Sequence, residues 1–108
     1  MSTAITISDL ANAVQIPEKG TLSLTLAQDE FTKLVLFGFA QGQELSEHTA
    51  AVPAMIQQIS GEAQWTLGEE KIDAKPGTLS YMPANLPHSI SASTPCVMLL
   101  TLLKTELL

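Results

Sequence analysis

The alternation Leu22-Ser23-Leu24-Thr25-Leu26 constrains this chain more than any other stretch. Apolar residues at every second position share one face of an extended strand, a spacing that an α-helix scatters around its axis. Further short β-type segments come after it, each closed by turn residues. Gln28-Asp29-Glu30 turns the chain into a second strand over residues 31–39, and Gly42 breaks that strand before the first histidine. Residues 55–59 form another, ended by Ser60-Gly61. Residues 65–67, the turn Gly68-Glu69-Glu70 and residues 71–73 make a hairpin. Pro76-Gly77 is a turn signal before residues 78–82, a loop spans 83–87, and residues 89–92 and 97–103 complete the set. Only residues 8–14 read as helix, with Ser8 as N-cap. Short strands at this spacing predict an all-β sandwich or barrel.

Composition removes several function classes. The 108 residues include five lysines but no arginine, against eleven acids, for a formal charge of −6. Arginine supplies the planar fork that grips phosphates and base edges, so its absence argues against nucleic acid as a partner. No glycine-rich phosphate loop is present either. The length suits one domain, residues 1–108, able to bury a core without disulfides. The single cysteine, Cys96, lies in the apolar run Cys96-Val97-Met98-Leu99-Leu100 and reads as an inert core thiol. With no basic flank or long apolar stretch at the N-terminus, and no membrane-length segment, a cytoplasmic location without membrane association is expected.

Chemistry concentrates on the two histidines. His48 closes the stretch that opens at Gly42, and His88 closes the one that opens at Gly77 and runs through Pro83, Asn85 and Pro87. Imidazole is the commonest neutral metal ligand and the usual proton carrier near neutral pH. Falling at the matching point of both glycine-led stretches favours a shared site over chance.

These two stretches resemble the paired motifs of the cupins, in particular small single-domain bacterial members of the conserved-barrel (cupin 2) type. Gly42, His48 and Gly61 match the first motif in spacing; Gly77, Pro83 and His88 match the second. Asn85 stands where that family often has glycine, a tolerable exchange because both residues enter the left-handed region. Ala92 stands where it often has asparagine. The resemblance covers roughly residues 31–103 and implies a jelly-roll barrel, with at most one short N-terminal helix here. It also implies that His48 and His88 converge in the barrel mouth.

The resemblance implies a divalent metal held by two histidines and a glutamate of the first motif plus the histidine of the second. Here Ala50 takes the place of the other histidine, and Ala54 or Met55 that of the glutamate. The expected site is therefore degenerate, with His48 and His88 as metal ligands, Gln58 as a candidate third, and an ion weakly bound or absent. By strand parity Glu47 points outward, while Glu44 shares the parity of His48 but lies near the turn. Gln58, Tyr81 and the two histidines are expected to line a pocket for a small molecule. Met55 and Trp65 are weighed as lining residues too, with Trp65 assigned to the core; Glu69 and Glu70 read as solvated turn residues. The resemblance leaves two other readings open, a metal-dependent enzyme of the oxygenase, isomerase or decarboxylase kind, and a metal-free sensor or binding module. Finally, residues 97–103 are apolar on both faces. One face fills the barrel; with nothing else in so short a chain to cover the other, a homodimer is expected to bury this strand or the N-terminal segment.

Overall fold

A computed structural model describes residues 3–104. Its nine strands are β1 (Thr21–Gln28), β2 (Thr32–Phe39), β3 (Glu44–His48), β4 (Ala54–Ser60), β5 (Ala63–Leu67), β6 (Glu70–Ala74), β7 (Leu79–Met82), β8 (His88–Ala92) and β9 (Cys96–Leu103). They form two antiparallel sheets, ordered β1-β2-β9-β4-β7 and β3-β8-β5-β6. This is the two-sheet jelly-roll barrel that the cupin resemblance implies, and it fits the all-β sandwich or barrel expected from the strand pattern. Turn chemistry fixes the connections. Gly68 has a positive φ of 61° at the first of the two residues joining β5 to β6, where a type II′ turn needs glycine. Between β6 and β7 the Thr78 amide donates to the Lys75 carbonyl at 2.9 Å, with Pro76 and Gly77 (φ 97°) in the central positions of a type II turn. At Asp29 the side chain accepts the Phe31 and Thr32 amides at 2.8 and 2.9 Å, closing the β1–β2 turn. Those two bonds, with Thr32 contributing most, hold the Asp29 carboxyl below its ordinary range.

The inward faces of both sheets build the principal core around Phe39, Ile56, Trp65, Met82, Ile90 and Met98. Trp65 has no exposed surface, which places it in the core as expected, and truncating it to alanine would cost about 3–5 kcal/mol. Cys96 is likewise enclosed, and burial pushes its thiol pKa up, so it is the inert group the sequence suggested.

Two expectations are corrected at the N-terminal end. Instead of a helix over residues 8–14, the chain makes one 3-10 turn, Leu10–Asn12, preceded by Asp9 rather than capped by Ser8. Asp9 and Asn12 bond each other side chain to side chain at 2.7 Å. Two turns of isolated helix are below the length at which helix formation becomes favourable. The apolar residues of this segment have another use: Leu10, Ala13, Val14 and Ile16 pack on Leu36, Val97 and Leu99, on the outer face of the five-stranded sheet. The second face of β9 is thus covered partly from within the chain, contrary to the expectation that nothing was available. The strap crosses close above Gly38, where a Cβ would lie 3.0 Å from the Gln15 carbonyl oxygen. Leu22 and Leu24 stay uncovered at 46% and 42% exposure on the edge strand β1. Leu100 and Leu102 belong to the inward face of β9. Among the described residues no helix is long and apolar enough to cross a membrane.

Candidate functional site

Register decides which residues of the four-stranded sheet face inward. Leu45 pairs with Ile90, and both pack into the core. Next along β3 the register slips, and His48 pairs directly with His88, two residues from Ile90. A bulge therefore lies at Ser46-Glu47, placing Leu45 and His48, three residues apart, on the same inward face. This overturns the parity assigned to Glu44: it pairs with Ser91 and shares the outward face, while Glu47 is exposed within the bulge. His48, His88 and Leu67 form the last inward row of this sheet, since Leu67 pairs with His88 on its other side.

The two rings lie 4.2 Å apart between centroids, tilted by 60°. His88 is buried at 6% exposure, whereas His48 is exposed at the rim. Each ring is oriented in the same way. His48 Nδ1 lies 2.8 Å from the Ser46 carbonyl oxygen, and His88 Nδ1 lies 2.9 Å from that of Leu86. A carbonyl only accepts, so both Nδ1 atoms carry the proton and donate; in the neutral rings both Nε2 atoms keep a lone pair. Neither Nε2 has a hydrogen-bond partner among the described residues. The loop before His88 is fixed by the Asn85 amide donating to the Ala50 carbonyl at 2.7 Å and by the Gly68 amide donating to Pro87 at 2.7 Å. Asn85 itself has a φ of 67°, the only positive value at a non-glycine among the described residues, which accounts for its standing in for glycine.

Beside the imidazoles is a space of about 40 Å³, lined by Phe37, Leu45, Ile56, Ile90, Met98 and Leu100. These six were not anticipated, although each lies on an inward strand position; the bulge hid the phase of β3. None carries a charge.

The other anticipated site residues lie elsewhere. Tyr81 is 59% exposed. It pairs with Met55 on the outward side of the sheet and borders a separate groove with Leu79, Pro83 and Leu86. Neither Tyr81 nor Met55 lines the space at the histidines. Residues 79–82 put Leu79 and Tyr81 on one face and Ser80 and Met82 on the other, so composition did not reveal the inward face. Gln58 is buried at 1% exposure, in the row of Phe37 and Met98. Its Nε2 donates to the carbonyls of Ser60 and Gly61 at 3.1 and 3.4 Å, and its Oε1 has no partner among the described residues. Its amide thus serves the β4–β5 turn and is not part of the wall around the imidazoles.

A resident divalent metal needs about three protein ligands. Among the described residues no three His, Cys, Asp or Glu side chains gather, and Ala54 offers only a buried methyl group. The residues present do not fit a resident metal centre.

Comparison with known proteins agrees with this architecture. The family model described as Cupin domain matches residues 35–102. Among solved structures, a conserved Streptococcus pyogenes protein of unknown function is 31% identical, covers 98% of this chain and 93% of its own, with a TM-score of 0.86. A cupin superfamily protein from Desulfitobacterium hafniense is 29% identical over 95% of this chain and 94% of its own, with a TM-score of 0.86. An RmlC-like cupin from Desulfovibrio desulfuricans is 26% identical, covering 94% and 98%, with a TM-score of 0.82. No curated protein matches.

Proposed function

The chain belongs to the cupin domain family, and from that premise we propose that it binds a small molecule at the His48–His88 end of its barrel. The observation that carries this reading is the pair of imidazoles, each held by a backbone carbonyl at Nδ1, above an uncharged apolar space. Such an arrangement offers oriented polar contacts over an apolar floor, the usual composition of a small-molecule site. The enzyme alternative, an oxygenase, isomerase or decarboxylase acting through a metal, asks for more donors than His48 and His88 supply. Any divalent ion taken up there would rest on these two rings and water, and would be held weakly. A binding module is the reading the side chains favour.

A fragment screen by nuclear magnetic resonance on the whole chain tests it. Hits are expected to shift His48, His88, Met98 and Ile56 together. Hits confined to the groove beside Leu79 and Tyr81 would refute the assignment. We propose further that the protein acts as a homodimer with no nucleic acid or membrane partner. The support is the uncovered Leu22 and Leu24 on the edge strand β1, whose free edge a second copy would cover.

A further inference from the structure

The tautomers of the two histidines set the polarity of the ligand. We infer that the His48–His88 rim selects small aliphatic amines and alcohols, groups that donate hydrogen bonds, and discriminates against carboxylates; this rests on the small-molecule reading above. Both Nδ1 protons are committed to the Ser46 and Leu86 carbonyls, so the neutral rings present two acceptors and no donor. With centroids 4.2 Å apart, the rings are near enough for one ligand head group to lie beside both. Among the described residues none around the space supplies a cation or a spare side-chain N–H: besides the histidines it is Phe37, Leu45, Ile56, Ile90, Met98 and Leu100. A carboxylate entering here would give up water and meet two lone pairs over a hydrocarbon floor, an uncompensated charge. An ammonium keeps its three donors, for the ring acceptors and for water at the exposed His48 edge. The formal charge of −6 and the absence of arginine act in the same direction at long range.

The floor limits the size of the ligand. A space of about 40 Å³ admits roughly the volume of two or three waters, which suits the end of a short alkyl group. The class is therefore a compact aliphatic donor with its head at the rim.

The experiment uses four probes sharing one branched four-carbon skeleton: isobutylamine, isobutanol, isobutyl methyl ether and isobutyrate. Each is titrated into the isotopically labelled full chain in mildly alkaline solution, with salt raised to screen long-range attraction. Long-range ring nitrogen spectra report the tautomers, and His48, His88 and Met98 resonances report binding. Both rings are expected to show an unprotonated Nε2. Affinity is expected to favour the amine over isobutyrate by at least about tenfold and the alcohol over the ether by about fivefold, the value of one hydrogen bond. Isobutyrate or the ether binding as tightly as its donor counterpart would overturn the polarity while leaving the pocket assignment intact. No probe moving these resonances would overturn both. A ring with its proton on Nε2 would overturn the polarity at its source.

Discussion

Alanine at Gly61 and at Gly77 separates two reasons for a glycine in the same pair of motifs. Both have positive φ, 67° and 97°. At Gly77 a Cβ would meet nothing within 4 Å, so alanine there pays only for the left-handed backbone, about 1–2 kcal/mol. At Gly61 the same methyl group would collide with the Pro95 carbonyl oxygen and lie 2.6 Å from Cβ and 2.9 Å from Cα of Cys96. Those are backbone and buried atoms at the start of β9, where Cys96 pairs with Phe39, and cannot swing aside. Overpacking adds about 1–3 kcal/mol, taking Gly61→Ala to about 2–5 kcal/mol. Urea unfolding followed by circular dichroism measures both variants; each kcal/mol lowers Tm by about 4–8 °C in a domain near this size. A local readout accompanies it: to relieve the contact Cys96 must move, so its thiol should react faster with a disulfide reagent in folded Gly61→Ala than in folded Gly77→Ala. Equal losses of stability in the two variants, within about 0.5 kcal/mol, would refute the steric argument.

Calorimetry with manganese, nickel and zinc is expected to give weak binding to the natural chain, lost in His48→Ala. Ala50→His combined with Ala54→Glu should raise the affinity by orders of magnitude, and tight binding without these changes would show that another side chain completes a site. Gln58→Met should change thermal stability, because it removes an unpartnered buried carbonyl oxygen and two donated bonds, yet leave ligand shifts at the histidines unchanged; lost binding would put Gln58 in the site. Sedimentation is expected to show a dimer at micromolar concentration that Leu24→Glu dissociates without unfolding, and a monomeric natural protein would end that proposal. For Asp29 the folded pKa lies below the ordinary 3.8, so its charge stabilises the fold above that value and the contribution disappears as pH falls through the folded pKa. Asp29→Asn should accordingly be less stable than the natural chain at neutral pH, with the gap closing on acidification; a gap independent of pH would assign the effect to shape alone.

The strands were readable because leucines at 22, 24 and 26, and glycines at 42, 61, 68 and 77, report local geometry that each residue sets by itself. The same holds for Asn85, whose side chain tolerates the left-handed turn it occupies. The N-terminal strap was not readable. Leu10, Ala13 and Val14 have helical spacing, and only their contact with Leu36, Val97 and Leu99 shows that the packing, not the helix, uses them. Tyr81 was misplaced because its strand has an apolar side chain available to either face.

The site depends on the feature least visible in the sequence. Glu44-Leu45-Ser46-Glu47-His48 contains no glycine or proline to announce a bulge, and period-two counting across it gives His48 the face of Glu44. The extra residue at Ser46-Glu47 reverses that phase and turns the exposed edge of β3 inward at its last position. It also supplies the Ser46 carbonyl that fixes the His48 tautomer, so one irregularity of the backbone both delivers the ring to His88 and determines which nitrogen it presents. His88 reaches the same state by another route, from the Leu86 carbonyl in a loop shaped by Pro83, Asn85 and Pro87. Matching motif spacing identified the pair, but the acceptor character of the rim comes from two backbone carbonyls, and no residue type in the sequence encodes a carbonyl's direction.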